Sequence, residues 1–426
     1  MQSTKSGEAF KSGSSPILKA STKSFIINPR KILFYSVFIM VFLLSGIFTL
    51  GNFFPYRMGL ISLLVFPFVF VYGVKRSHIN IAYLALFFVI VISAIYNGSS
   101  LLDFFLFSRI LIFSFLIYYL VSSYLNQENI VKVVRLCVLI ALIQLPIILF
   151  QQFIYSYLPD SIMNQISRID FDFGTFNFKG DSSMAFFLTL IVIFLLFDNK
   201  RNHIIKFRWP IVIWLTLTVL IANAEIMKLI IGIIWIIFIL GNLSKKTIIY
   251  AISAVTLVLV ILGVFGVFNQ IWADFSRSLK SNSSINLASA EKYLTGNYAR
   301  GSGIAYLMDQ DFLWVGDGPS KYYNVLDRTR LRGNTGHLFT FYSEIGFLGL
   351  LISFFIFFLI AFPVNRFKVK FNFVNLLMLF TLLLISFTTE IMNDISIVMI
   401  FSIMTLSSLI PVRRTFPEEI TKSIPV

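Results

Sequence analysis

Long apolar runs, separated by short polar connections, occupy most of this sequence. A helix needs about 17 to 25 predominantly apolar residues to cross the hydrocarbon core of a bilayer. About twelve runs reach or approach that length: residues 32–50, 59–74, 79–96, 104–125, 136–157, 182–197, 209–223, 228–241, 248–268, 337–362, 373–389 and 396–412. The pattern predicts an all-α, polytopic membrane protein of about twelve transmembrane helices.

These runs divide the chain into five parts. Residues 1–31 are rich in Ser and Lys and lack the apolar core and cleavage site of a secretory signal, so we expect a disordered cytoplasmic tail. Helices one to nine then occupy residues 32–268, and a large polar loop that contains short helices covers residues 269–336. Helices ten to twelve occupy residues 337–412, and residues 413–426 form a second cytoplasmic tail.

The composition supports a membrane protein. With 57% hydrophobic and 13% charged residues and a mean hydropathy of +0.84, the chain is too apolar for a water-soluble globule. Its net charge of +15 would suggest nucleic acid in a soluble domain, but membrane proteins gather basic residues in cytoplasmic loops, so we expect no nucleic-acid partner. A single cysteine, Cys137, excludes an intramolecular disulfide.

The basic clusters predict the topology. They fall on one side of the predicted helices: Lys75 with Arg76, residues 200–208, Lys245 with Lys246, residues 366–370, and Arg413 with Arg414. By the positive-inside rule this side is the cytoplasm, and both termini lie there. We therefore expect a multi-pass protein of the cell inner membrane, whose loop at residues 269–336 and smaller segment at residues 158–181 both face the periplasm.

The large loop is where we expect the functional site, since long ordered loops in compact proteins usually carry function. Topology does not require basic residues in a translocated loop, yet this one contains Arg300, Lys321, Arg328, Arg330 and Arg332. Guanidinium groups form bidentate, charge-assisted hydrogen bonds with phosphate oxygens. These residues could therefore bind an anionic headgroup. A solvated surface, or ordinary attraction to anionic lipids, is the alternative.

His337 and Glu344 lie where the loop becomes a helix. The positive end of a helix dipole disfavours imidazolium, and a neutral imidazole at His337 could accept a proton from a hydroxyl or orient it. A simple polar cap at the membrane interface is the alternative. Glu344 follows about two turns later on the same face. A carboxylate at that depth needs a partner, for which we expect basic groups of the outer face.

Three further cations are weaker candidates. Lys179 lies beside Asp181 in the smaller outer segment, and Lys228 begins a helix three residues after Glu225, where an i, i+3 ion pair is the simplest interpretation. Either lysine could join a phosphate site. Arg109 lies one turn inside its helix, so its side chain either snorkels to the interface or belongs to the site.

The sequence predicts no metal and no cofactor. Residues 309–311 read Asp-Gln-Asp, similar to a metal-binding motif of nucleotide-sugar transferases, but no cluster of His, Cys and carboxylates with metal-ligand spacing accompanies them. Neither a P-loop nor a G-x-S-x-G motif is present. The glycine-rich turn at residues 314–320 could bring backbone close to a ligand, and it is equally compatible with a plain turn.

Taken in order, several of these residues resemble a known arrangement. Arg300, the Gly316-Asp317-Gly318 turn, His337, Glu344, Gly346 and Gly349 resemble the O-antigen polymerase and O-antigen ligase superfamily of bacterial envelope polysaccharide assembly. Residues 171–188 are similar to an earlier segment of that family. Two positions depart from it, because Lys228 stands where members often have arginine and Leu338 stands where they have asparagine.

The resemblance implies a C-type glycosyltransferase-like fold and a membrane enzyme. It implies a polymerase that transfers undecaprenyl-diphosphate-linked oligosaccharide units onto a growing chain at the outer face of the inner membrane. Arg300 would hold the diphosphate, His337 would orient or deprotonate the acceptor hydroxyl, and Glu344 would fix a basic or acceptor group. Membrane lipid, a chain-length regulator and a flippase are the partners to expect. A ligase that transfers polymer to the lipid A core is the alternative.

A transporter is the alternative from a different class, such as a flippase for lipid-linked oligosaccharides. Transporters place polar residues near the middle of the membrane and contain paired broken helices. Glu390 and Asp394, between the last two predicted helices, are the residues that bear on this alternative. In a purely structural scaffold, the arginines of the loop would have no common ligand.

Overall fold

In a computed structural model, the chain is described at residues 28–46, 54–73, 77–155, 157, 171–176, 181–198, 205, 207–222, 224–242, 312–320, 336–365, 368–369 and 371–411. Nearly all regular structure in these ranges is helical. The helices are α1 Pro29–Phe42, α2 Phe54–Tyr72, α3 His78–Tyr96, α4 Leu101–Tyr124, α5 Ile130–Tyr155, α6 Asp181–Phe197, α7 Arg208–Ile221, α8 Glu225–Asn242, α9 His337–Ala361, α10 Phe373–Ile385 and α11 Ile395–Leu409. Strands β1 Val364–Asn365 and β2 Lys368–Val369 form a short antiparallel hairpin after α9.

These helices confirm the all-α prediction. Each predicted apolar run coincides with a helix, except the run at residues 248–268, which lies outside the described residues. Four helices are long and apolar enough to cross a membrane: His78–Tyr96, Leu101–Tyr124, Ile130–Tyr155 and His337–Ala361. The fold is therefore compatible with a membrane protein. The count of twelve spans, the periplasmic loop and the side on which the termini lie stay predictions.

Local sequence explains where several helices begin. The Asn28 side chain accepts the Arg30 N–H at 3.1 Å, and Pro29 follows at the first helical position of α1. At the start of α4, Ser100 Oγ accepts the Asp103 N–H at 3.1 Å. In α11 the carboxylate of Asp394 accepts the Ser396 N–H at 2.8 Å. These side chains pair amide groups that the first turn of a helix leaves without partners.

Helix α6 forms the centre of the described bundle. All residues from 183 to 196 are buried, as expected for a helix that is apolar on every face. It packs against α7, α8, α10 and α11. The Phe187 ring lies 5.1 Å from the Phe42 ring of α1 and 5.3 Å from the Phe176 ring. The segment at residues 171–176 is thereby joined to the core.

Helices α10 and α11 form an antiparallel pair. The Asn375 amide donates to the carbonyls of Thr405, at 3.2 Å, and Ala361, at 2.7 Å. The Asn372 amide donates to Ser408 Oγ at 3.1 Å. These bonds join the start of α10 to the ends of α9 and α11. The turn at residues 386–394 therefore lies at the opposite end of the pair.

The apolar run predicted at residues 337–362 is helical, but helix α9 is not one continuous helix. Gly346 has φ 75° and ψ −175°, far from helical values. His337 Nε2 is hydrogen-bonded to Ser353 Oγ at 2.9 Å, whereas sixteen residues of continuous helix would separate the two by about 24 Å. The chain therefore reverses at Gly346. Residues 337–345, the first arm, fold back along residues 347–361, the second arm.

The reversal changes how α9 relates to a membrane. Its 25 residues are long and apolar enough to span a membrane, but each arm alone is shorter than a span. At 1.5 Å per residue the second arm is about 22 Å long and the first about 13 Å, both short of a hydrocarbon core of about 30 Å. Gly349 lies where the arms meet, with the Ile345 side chain against it.

A single methyl group at the reversal tests this geometry. A Cβ at residue 346 would collide with the main chain of Trp314 and lie 2.5 Å from the Gly316 nitrogen. We expect Gly346→Ala to destabilise the protein by about 1 to 3 kcal/mol or more, because left-handed φ and steric overlap act together. Thermal unfolding in detergent measures the loss. Gly232→Ala is the matched control, since a Cβ there meets nothing within 4 Å. Equal stability of the two variants would contradict the reversal.

Candidate functional site

The break in α9 leaves backbone carbonyls at the end of the first arm without helical partners. Residues 312–320, called the docking segment below, lie against the break and pair them. The Asp317 N–H donates to the Ser343 carbonyl at 2.8 Å, and the Gly318 N–H donates to the Glu344 carbonyl at 3.0 Å. The docking segment therefore acts as the carboxyl-terminal cap of the first arm.

The same segment also caps the start of the second arm. The Phe347 N–H donates to the Leu313 carbonyl at 2.8 Å, and the Leu348 N–H donates to the Trp314 carbonyl at 3.3 Å. Four backbone hydrogen bonds thus hold one extended segment against both ends of the broken helix. The part of the large loop that the structure describes is therefore integrated into the helical hairpin.

Two glycines allow this close approach. Gly316 has φ +74°, and a Cβ there would lie 2.5 Å from the carbonyl carbon of Glu344 and 2.6 Å from the Gly346 nitrogen. The glycine-rich turn predicted at residues 314–320 is therefore real. Its close backbone contact is with the protein's own main chain at Gly346.

Polar residues at the end of α3 complete the junction. Ser93 Oγ donates to the Glu344 carbonyl at 3.0 Å. The Asn97 amide donates to the Gly316 carbonyl at 3.0 Å and to the Ser93 carbonyl at 2.9 Å. Sequence analysis missed both residues. The signal that could have found them is their spacing of four, which places two polar side chains on one face at the end of an apolar helix.

The Glu344 carboxylate lies inside this junction and is buried. Its Oε2 accepts the Ser320 N–H at 2.9 Å, and Ser320 Oγ in turn donates to the Asp103 carbonyl at 3.1 Å. The carboxylates of Glu390 and Asp103 lie close enough to act on it electrostatically. Glu344 thus fixes the end of the docking segment to the first arm. The predicted contact of Glu344 with basic groups of the loop stays a prediction, because those groups lie outside the described residues.

His337 is the first residue of α9, after Gly336, which confirms its predicted place at a helix start. Its side chain is fully buried, with ring centroids 3.9 Å from Phe341 and 5.6 Å from Phe354. The Ser353 hydroxyl donates to the Leu350 carbonyl at 2.7 Å. Ser353 Oγ is therefore free to accept, and the histidine proton belongs on Nε2.

This tautomer leaves a lone pair on His337 Nδ1. That nitrogen is buried and has no hydrogen-bond partner among the described residues. A buried polar atom without a partner usually marks a site where a substrate, a water or a proton completes the hydrogen bonding. Of the candidates named from sequence, His337 is the one whose described surroundings leave a basic atom available.

The turn between α10 and α11 is hydrogen-bonded to the start of the first arm. The His337 N–H donates to the Thr389 carbonyl at 3.1 Å, and the Leu338 N–H donates to the Ser386 carbonyl at 3.3 Å. Thr340 Oγ1 donates to Glu390 Oε1 at 2.9 Å. The amides that could have bound an anion at this helix start are thus paired internally.

Asp394 has a structural role in the described fold. Besides capping α11, its carboxylate accepts a hydrogen bond from the Ser183 hydroxyl at the start of α6. It therefore ties the turn to the central helix.

Of the other candidate cations, Lys228 and Arg109 lie within the described ranges. Lys228 Nζ forms the predicted ion pair with Glu225 at 2.9 Å on α8, which packs against α6, α7 and α10. Arg109 is exposed on α4. The other predicted cations lie outside the described residues: Lys179, Arg300, Lys321, Arg328, Arg330 and Arg332. The Asp-Gln-Asp motif at residues 309–311 lies outside them as well.

The predicted outer segment at residues 158–181 is described at residues 171–176 and 181, and residues 171–176 are bound to α5. The Thr175 N–H donates to Gln144 Oε1 at 3.0 Å. Gln151 pairs with the backbone of Gly174 in both directions, at 2.8 and 2.9 Å. The Gln152 amide donates to Asp172 Oδ2 at 2.8 Å. Three glutamines on one apolar helix therefore hold this segment in place.

The described ranges lack the side-chain clusters that hold metal ions in proteins. They contain no group of three or more His, Cys, Asp or Glu residues that could hold a metal ion.

Two comparisons with known proteins add no relative. Neither the scan against protein-family models nor the search of curated proteins returned a match for this sequence. The resemblance to the O-antigen polymerase and ligase superfamily therefore stays a prediction, and the geometry of the hairpin is the basis for the functional argument.

The Glu344 carboxylate should determine how firmly the docking segment is held. Glu344→Ala removes the acceptor of the Ser320 N–H, so we expect faster amide hydrogen exchange in a peptide covering residues 312–320, by about five- to thirty-fold for a bond of 1 to 2 kcal/mol. Glu344→Gln keeps an acceptor oxygen and should exchange nearly as slowly as the native protein. Native-like exchange in both variants would show that the carboxylate does not hold the segment.

Proposed function

We propose that the protein is a membrane glycosyltransferase that polymerises polysaccharide from undecaprenyl-diphosphate-linked oligosaccharide units. One observation carries the proposal. The docking segment and the α9 hairpin form one structural unit. This unit contains four of the residues that carry the resemblance: Gly316, His337, Glu344 and Gly346.

The geometry supports a base at His337. In glycosyl transfer, an acceptor hydroxyl oxygen forms a bond to the anomeric carbon, and the carbon–oxygen bond to the diphosphate breaks. The diphosphate leaves with the bonding electrons, and the acceptor loses a proton. Neutral His337, protonated on Nε2 and held by Ser353, presents Nδ1 to receive that proton. Since the side chain is fully buried, the proposal requires the first arm to move aside when substrate enters.

The diphosphate would be bound by cations of the large loop. Ser320 is fixed to Glu344, and Gly336 lies against the backbone of Phe387. Lys321, Arg328, Arg330 and Arg332 belong to the fifteen residues of sequence between these two positions. We propose that these residues and Arg300 neutralise the leaving group, because bidentate arginine–phosphate bonds stabilise developing negative charge.

The lipid profile of a deletion strain tests the proposal. A polymerase leaves single repeat units on the carrier or core and no long chains. A ligase, the alternative within the same superfamily, leaves long chains on undecaprenyl diphosphate. Normal chains on the normal acceptor would overturn both.

A transporter is the second candidate, and the break in α9 favours it. Transporters bind substrate at discontinuous helices whose ends face a buried site, and buried Glu344 lies at such a break. For a flippase, deletion would leave complete repeat units exposed on the cytoplasmic face of the membrane. Labelling of lipid-linked sugars in intact and permeabilised spheroplasts separates this outcome from loss of polymerisation.

His337 should be required for chain extension. We expect His337→Ala to lower the rate of extension by about a hundred-fold or more, as is typical for loss of a general base, while the protein still purifies as a folded species. Polymer length on gels and extension of a purified lipid-linked unit measure the effect. His78→Ala is the control, because His78 is exposed at the start of α3. Near-normal chain length in His337→Ala would remove this residue from the mechanism.

Ser353 should act by positioning His337. Without the Ser353 hydroxyl, either imidazole nitrogen can carry the proton, so we expect Ser353→Ala to slow extension by about ten-fold, well short of the His337 variant. Ser353→Thr retains a hydroxyl and should recover most of the rate. An unchanged rate in Ser353→Ala would contradict the assigned tautomer.

A further inference from the structure

An exposed aromatic cluster covers the turn of the α9 hairpin. Phe312 and Trp314 of the docking segment are 54% and 58% exposed, although both are large and apolar. Their ring centroids are 4.9 Å apart, and they lie 5.3 and 6.0 Å from the Phe347 ring at the start of the second arm. The Leu313 N–H is fixed by the Tyr342 hydroxyl at 3.2 Å. The cluster is therefore ordered and points outward.

The cluster continues an apolar stripe. On the second arm, Leu348, Leu351 and Phe355 are 41%, 51% and 47% exposed. Their spacing of three and four residues places them on one face of the helix. An exposed face of this kind on an apolar helix is a lipid-contacting face, since water-exposed helix faces are polar. Phe347 directly precedes this stripe, so the aromatic cluster lies at its end.

A further exposed aromatic residue lies beside the same junction, on the neighbouring helix α3. Tyr96, the last residue of α3, is 79% exposed and follows another exposed apolar stripe that includes Phe88 and Ile92. The next residue, Asn97, donates its amide hydrogen bond to the Gly316 carbonyl at 3.0 Å. Two apolar stripes on α3 and α9 therefore both end in an exposed Tyr or Trp beside one junction.

We propose that Phe312, Trp314 and Tyr96 bind the lipid bilayer at the boundary between headgroups and acyl chains. Trp and Tyr concentrate at that boundary because they combine an apolar ring with one polar group. Lipid fits these residues better than a glycan does. A sugar-stacking surface needs no continuation into an apolar stripe, whereas a lipid-facing surface requires one. This inference does not rest on the proposed enzymatic function.

The contact fixes the depth of the hairpin. If the cluster marks the interface, Gly346 lies near headgroup level. Ser353 is seven residues further along the second arm, or about 10 Å closer to the bilayer centre. His337, bonded to Ser353, lies at that depth. A hydrophilic reactant would then have to enter the upper hydrocarbon region to reach it, which matches the buried state of the histidine.

Fluorescence of Trp314 tests the contact. The protein has five tryptophans, so the variant W209F/W214F/W235F/W272F, in lipid nanodiscs, leaves Trp314 as the only emitter. We expect blue-shifted emission and stronger quenching by lipids brominated near the headgroup than by lipids brominated near the chain end. The matched control retains only Trp214, which lies within apolar α7, and should be quenched more by the deeper bromines.

Two results would overturn the proposal. Emission at the wavelength of tryptophan in water, with no quenching by any brominated lipid, would place Trp314 in solvent. A spectrum that is insensitive to brominated lipid but changes on addition of free oligosaccharide would assign the cluster to a glycan.

A nitroxide at residue 314 keeps the test decisive if the multiple-tryptophan variant does not fold. Trp314→Cys in a Cys137→Ala background has one reactive thiol, because Cys137 is the only native cysteine. Oxygen and a water-soluble nickel chelate should both relax a label at residue 314, whereas a label at residue 355 should respond to oxygen alone. A label at residue 314 that responds only to the chelate would contradict the lipid contact.

Discussion

Backbone hydrogen bonding at Gly346 is the constraint on which the described structure depends. A helix that breaks in an apolar environment exposes N–H and C=O groups, and each such group without a partner costs several kcal/mol. Here the docking segment pairs two carbonyls of the first arm and two amides of the second. Irregular backbone is tolerated in a protein interior when other protein groups satisfy its hydrogen bonds, and this junction is such a case.

The placement of the candidate base follows from that junction. Because the arms fold together, the His337 side chain is hydrogen-bonded to Ser353. The first two backbone amides of the first arm donate to carbonyls in the turn between α10 and α11. The same fold buries the Glu344 carboxylate at the junction, where Ser320 donates to it. One side of the hairpin thus holds the docking segment, while the other holds the histidine.

Much of the fold could be predicted from the sequence, because apolar runs of sufficient length form helices whatever their partners. The start of α9 at His337 and the Glu225–Lys228 pair follow from local rules of the same kind. The break could not be predicted, since residues 344–349 combine two glycines with apolar neighbours and no proline, and such glycines are common inside apolar helices. The partners of Glu344 depend on contacts across 24 and more residues of sequence, which periodicity does not encode. The role of Arg300 stays a prediction.

The reversal of the chain at Gly346 is the central claim, and a distance between the two arms tests it most directly. Nitroxide labels at Leu338→Cys and Phe355→Cys, in a Cys137→Ala background, flank the His337–Ser353 hydrogen bond. Electron paramagnetic resonance in nanodiscs should give strong dipolar broadening, with the labels well under about 20 Å apart. A continuous helix would separate the two backbone positions by about 25 Å. A narrow distance distribution at or above that value would contradict the hairpin and the site built on it.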